Sequence, residues 1–144
     1  MINSRDINEL HPKVKKLTIK FIDECKRQNI DILITSTYRD QESQLALFNQ
    51  GRSTLSKSKG EKIVTNARPG QSYHNWRVAI DFVPLINGKA NWNDVKLFTK
   101  CGEIAESVGL EWAGRWVKFK ELAHCQYTEG LTIQDFQLGK TLGE

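Results

Sequence analysis

The segment that most restricts how this chain can fold is Val78-Ala-Ile-Asp-Phe-Val83, a run of strand-forming apolar residues interrupted by a single carboxylate. Side chains alternate across a strand, so Val78, Ile80 and Phe82 share one face and fill a core. Asp81 then shares the other face with Ala79 and Val83. Ala79 is small, and leaves room for an ion beside the carboxylate.

The flanking sequence supplies helices for this strand to pack against. His11-Pro12 followed by Val14, Leu17, Phe21, Ile22 and Cys25 gives apolar positions at helical spacing, with Pro12 tolerated in a first turn, which predicts an amphipathic helix over 11–29. Asp31 to Tyr38 is rich in β-branched residues and reads as a buried strand. Asp40 can cap a second helix carrying Leu45, Leu47 and Phe48 and stopping at Gly51, which places Arg39 at a strand-to-helix junction. From Arg52 to Gln71 the composition turns to Ser, Lys, Gly and Asn, a long loop placed to form a substrate wall. Asn87-Gly88 signals a hairpin, Asp94 caps a helix ended by Gly109, Trp112-Ala-Gly-Arg-Trp116 is a tight aromatic segment, His124 to Tyr127 is a short strand, and Leu131 to Leu138 is a terminal helical turn or two. Helices and short strands without repeats or βαβ regularity predict an α+β fold.

A chain of 144 residues supports one core, so a single domain over 1–144 is expected, with its core over about 11–130. The N-terminal stretch is charged throughout, which excludes a secretory signal, and no apolar run approaches a membrane span; the chain is expected in the cytoplasm. Cys25, Cys101 and Cys125 lack paired or CxxC spacing, which argues against disulfides and a thiolate zinc cluster. A net charge of +4 suits an anionic partner, but it is modest and dispersed, so no specific nucleic-acid binding is expected.

Two of the three histidines stand near acidic residues, in Ser72-Tyr-His-Asn-Trp-Arg-Val-Ala-Ile-Asp81 and in Glu121-Leu-Ala-His124. His74, Asp81 and His124 together offer two imidazoles and a carboxylate and leave one tetrahedral position for water, the pattern of a catalytic rather than a structural zinc site. In one continuous strand His74 and Asp81 would face opposite sides, so a bend is required, and residues 75–77 can supply it. Glu121 and His124, three positions apart, fall on one side of a turn. That places a carboxylate near the metal as a general base for water.

These pieces resemble the zinc peptidases of family M15, which include D-Ala-D-Ala carboxypeptidases and dipeptidases and L-alanyl-D-glutamate endopeptidases and share a fold with the Hedgehog signalling domain. Ser-x-His-(six residues)-Asp and Glu-x-x-His are joined, in the same order, by Ser36-Thr-Tyr-Arg39 with Gln44, by Asp81-Phe-Val-Pro-Leu-Ile-Asn-Gly88 and by Trp112-Ala-Gly-Arg-Trp116, over about 30–130. The resemblance implies a small, mostly antiparallel sheet flanked by helices. It implies Zn2+ held by His74, Asp81 and His124, Glu121 as base, Arg39 stabilising the oxyanion, and Ser72 and Gln44 holding a peptide. Trp76, between two ligands in sequence, is expected to wall the site. A short chain of this kind looks most like a phage endolysin cutting the L-alanyl-D-glutamate bond of the peptidoglycan stem, a monomer released through a holin or similar pore. D-Ala-D-Ala cleavage uses the same site chemistry, and a non-catalytic wall-binding or Hedgehog-like module is the reading from another class. Arg77 departs from the family, which usually has Gly there, at a bend that often requires positive φ.

Blander readings stand beside these. A His-Asp pair is often a structural hydrogen bond, Glu121 can be a surface carboxylate, and Arg39 can serve a helix start. Cys125 is next to His124, but on a strand it points to the opposite face and into the core.

Overall fold

In the computed structural model, which describes residues 1–143, the first long element is a helix, α1, over Pro12–Arg27. His11, expected merely near the helix start, caps it: its Nδ1 accepts from the Lys13 backbone N–H at 3.1 Å. Pro12 takes the first turn, where a missing N–H loses no helical bond. Val14, Thr18, Phe21 and Cys25 form the buried stripe, and Asn29, in the left-handed region at φ 62°, turns the chain out of the helix.

The chain continues into β1 (Asp31–Ser36), α2 (Gln41–Asn49), α3 (Thr54–Ser58), β2 (Ala79–Ile86), β3 (Lys89–Ala90), α4 (Val95–Val108), β4 (Glu111–Trp112), β5 (His124–Gln126) and α5 (Ile133–Gln137). The strands form one sheet in the order β1-β2-β5-β4, with β3 also pairing β2, and every pairing is antiparallel. The expected hairpin is present, with Asn87 and Gly88 both at positive φ between β2 and β3. The α+β fold with an antiparallel sheet flanked by helices is therefore the observed one.

α1 and α4 cover the face of β2 that carries Phe82. That ring lies edge-on to Phe21 at 5.1 Å and tilted against Phe98 at 5.6 Å between centroids. Burying each such ring contributes about 1.5–3 kcal/mol. Asp94 caps α4 through its contact with Leu97 N–H, and Gly109 ends it at φ 109°. Within α4, Gly102 is a packing requirement: a Cβ there would lie 2.1 Å from the Trp112 indole. All three cysteines are free and buried, Cys125 included.

Three local expectations differ from the structure. β1 lies at the sheet edge and is only half covered, with Leu33 39% exposed. In α2 the buried residues are Ser43 and Gln44 while Leu45 is exposed, since this helix packs a polar side chain toward Arg39 instead of an apolar stripe into the core. The stretch 52–71 is not wholly loop: Ser53 caps the one-turn helix α3. Arg52 ties the segment down by donating to Phe48 O at 2.6 Å, Thr65 O at 2.8 Å and Asn66 Oδ1 at 3.1 Å.

Candidate metal centre

Strand register assembles one side of the site. Ser36 of β1 is opposite Asp81 of β2, and Asp81 is opposite His124 of β5, so three polar residues fall in one row across the sheet. An irregularity between Ile34 and Ser36 shifts the β1 pairing just where this row is formed. Two residues along β5, on the same face as His124, Gln126 is opposite Glu111 of β4.

His74 reaches this row from a 3-10 turn over Tyr73–Trp76. Ser72 Oγ accepts from His74 N–H at 3.3 Å, and Asn75 Oδ1 accepts from the backbone N–H groups of Gly70 and Ser72, each at 3.1 Å. Asn75 also donates to Arg39 O at 2.9 Å, which locks the turn to the start of α2. The expected bend is present and ends at Arg77, which adopts the left-handed conformation at φ 64°, ψ 24°. The departure from Gly thus keeps the Gly-like backbone. Its guanidinium stacks 3.7 Å from the Tyr38 ring centroid and donates to Glu9 O and Oε2 at 2.8 and 2.9 Å, contacts that offset the strain.

One donor atom each from His74, Asp81 and His124 lies within 4.8 Å of the others. Asp81 Oδ1 is 3.3 Å from His74 Nε2 and 3.2 Å from His124 Nδ1. His74 Nδ1 faces Thr37 O at 2.8 Å, and a carbonyl only accepts, so the ring hydrogen sits on Nδ1. Nε2 then carries a lone pair, buried and without a hydrogen-bond partner although close to a carboxylate oxygen. Two lone-pair atoms this close need a cation between them: a proton, which makes the His74 ring an imidazolium, or a metal ion. That unpartnered nitrogen and the N,O,N donor set fit a divalent ion such as zinc.

The electrostatics agree. Burial opposes ionisation of Asp81, but positive charge at His74 and the hydrogen bond with His124 outweigh it and hold the carboxyl well below its usual range. Burial likewise pulls His124 down, yet its bond to Asp81 and the Asp81 charge prevail and raise it. Both shifts say that the pocket favours a positive charge at this point.

Glu121 lies in the loop before β5, 61% exposed, with Oε2 3.8 Å from His124 Nδ1. Arg39 extends into the site from the end of the β1 connection, donating to Gln44 Oε1 at 3.0 Å and Ser36 Oγ at 3.3 Å. Burial lowers its pKa, against the charges of Asp81 and Glu121, and a guanidinium stays charged despite this. Together these groups border a cleft of about 790 Å³ that Ser72, Trp92 and Trp116 also line. The structure does not bring two expected peptide contacts to that cleft. Gln44 is fully buried and bridges Arg39 to Ala67 O at 2.9 Å, so it orients the guanidinium. Trp76 turns away, stacking on Phe136 at 6.0 Å and donating to Gly70 O at 3.0 Å, because the 3-10 turn rotates it off the side that His74 occupies. The aromatic wall is instead Trp116, whose ring centroid is 5.8 Å from that of His124. Thr37 O and Gln126 were not anticipated; the strand period, which puts Gln126 on the face of His124, was the signal for the second.

The model of the VanY family, described as D-alanyl-D-alanine carboxypeptidase, matches residues 7–127. The peptidoglycan L-alanyl-D-glutamate endopeptidase CwlK of Bacillus subtilis (strain 168) is 35% identical over 134 residues, covering 83% of this chain and 74% of that protein. The L-alanyl-D-glutamate peptidase of Listeria phage A118 is 28% identical over 124 residues, 85% of this chain but 39% of that protein. Among solved structures, a zinc complex of the vancomycin resistance D,D-pentapeptidase VanY has the same fold, with a TM-score of 0.65 at 15% identity over 95% of this chain and 89% of that one.

Proposed function

This chain belongs to the VanY family of D-alanyl-D-alanine carboxypeptidases, and we propose that within it the chain is a zinc endopeptidase hydrolysing the L-alanyl-D-glutamate bond of the peptidoglycan stem. The observation that carries the metal chemistry is the unpartnered His74 Nε2 facing Asp81 Oδ1 beside His124 Nδ1. The choice of bond rests on the activities named for the two relatives above.

His74, Asp81 and His124 would hold the ion. Zinc when bound supplies Lewis acidity, which polarises the scissile carbonyl and brings the pKa of water to about 7. Glu121, on the open side of the cluster, takes the proton of the attacking water and delivers it to the leaving amine. Arg39, fixed by Gln44 and Ser36, presents its guanidinium to the carbonyl oxygen as negative charge develops there. Trp116 and Ser72 flank the peptide. A monomer that reaches the wall through a holin or similar pore completes the reading; the phage relative supports the setting, and no described helix is long and apolar enough to cross a membrane.

Digestion of purified peptidoglycan followed by mass spectrometry of the muropeptides tests both bond and base. Products cut between L-alanine and D-glutamate are expected, with Glu121→Ala retaining zinc and fold while the rate falls by about 10²–10⁴. Release of terminal D-alanine alone would select the D-Ala-D-Ala reading, which the family description supports. Normal digestion by Glu121→Ala would remove the assigned mechanism. Wall binding with no new amino termini in zinc-replete buffer would favour a non-catalytic module.

A further inference from the structure

His124 Nε2 lies 2.8 Å from Gln126 Oε1, and Gln126 Nε2 lies 2.9 Å from Glu111 Oε2. The three residues form a chain across β5 and β4, with Glu111 and Gln126 a direct cross-strand pair. Chemistry orders this chain in one direction. A carboxylate only accepts, so the Gln126 atom facing Glu111 is the amide nitrogen. Its carbonyl oxygen must then face His124, and that oxygen also only accepts. The hydrogen of neutral His124 is thereby drawn to Nε2, and the lone pair is left on Nδ1, the nitrogen 3.2 Å from Asp81 Oδ1.

We propose that Gln126, oriented by Glu111, is a positioning residue that sets the His124 tautomer and ring angle so that Nδ1 is presented to the metal. The inference rests on the zinc reading above. Gln126 is buried, so no solvent molecule competes for the role, whereas Glu111 stands exposed at the strand edge and anchors the amide. Removing such partners of ligating histidines typically weakens metal binding 10–100-fold.

The test uses the zinc-loaded full chain, with zinc affinity measured by chelator competition and the imidazole N–H groups observed by 15N-resolved NMR. In the unsubstituted protein a protected His124 Nε2–H is expected. Gln126→Leu should lose its protection and bind zinc 10–100-fold more weakly, while the His74 Nδ1–H held by Thr37 O stays unchanged, a control that general loosening of the fold would fail. The exchanged pair, Glu111→Gln with Gln126→Glu, keeps an acceptor against His124 and a donor beside it, and should restore both signals. A His124 hydrogen found on Nδ1 in the zinc-loaded protein, or unchanged affinity in Gln126→Leu, would overturn the proposal while leaving zinc binding intact. Failure of the unsubstituted chain to bind zinc would overturn the proposed function, and this inference with it.

Discussion

The two imidazoles of the metal centre meet Asp81 through opposite nitrogens, and they are held by different kinds of partner. His74 stands on a 3-10 turn and gives its Nδ1–H to the backbone carbonyl of Thr37. His124 stands on a strand and meets the Gln126 side chain, which Glu111 orients in turn. A backbone acceptor survives any side-chain replacement but depends on the bend that aims the ring. A side-chain acceptor has its geometry supplied by register, yet a single substitution removes it. One half of the centre is thus vulnerable through conformation and the other through composition.

Asp81→Ala should break the comparison outright, because this carboxylate faces both rings. Loss of stoichiometric zinc and of wall hydrolysis is expected, measured by metal analysis and turbidity decrease; full zinc retention would mean that the histidines do not share an ion through this residue.

A smaller effect separates the forces on the zinc-free pair. The Asp81 pKa is lowered by folding, so its contribution is present above the usual carboxylate value of about 3.9 and is lost as pH falls through the folded value. The His124 pKa is raised, so its contribution is complete below about 6.5 and is lost as pH rises through the folded value. The zinc-free pair therefore stabilises most between those limits, whereas zinc requires neutral imidazoles. The rise in Tm on adding zinc should be larger at pH 8 than at pH 5.5, and chelation should reverse it. An equal rise at both values would show that protons and metal do not compete here.

The smallest effect sharpens the conformational half. Arg77→Ala keeps a left-handed non-glycine residue but removes the Tyr38 and Glu9 contacts, and should destabilise the chain by about 1–2 kcal/mol. Arg77→Gly loses the same contacts but relieves the backbone, so its melting temperature should lie closer to the parent's. Equal losses in the two would mean that the left-handed bend carries no strain.

What was readable in the sequence divides along a similar line. Asp81 on the small-residue face, the need for a bend before it and the core role of Cys125 all follow from the strand period, which is local. The helix limits at Asp40, Asp94 and Gly109 follow from capping, also local. The polar burial of Gln44 was hidden because its partner, Arg39, defines a surface that exists only after the sheet forms. Trp76 was misplaced because adjacency to ligands in sequence says nothing about which way a 3-10 turn points each side chain. The relay through Gln126 needed the pairing of β4 with β5, a contact between strands joined by eleven residues of turn and loop, 113–123.

The row of Ser36, Asp81 and His124 has a consequence for how such chains can diverge. Slipping β5 by one residue would turn His124 away and bring the core residue Cys125 to face Asp81, and slipping β2 would turn Asp81 itself away. Insertions within the strands are therefore closed to this architecture. The stretches 53–64 and 117–120 cross no ladder and hold none of the groups assigned to the chemistry, while Val64 and Phe119 line the cleft, so they are free to lengthen, shorten or change sequence without moving the reacting atoms. Substrate preference can drift through those two stretches while the chemistry beneath them stands still.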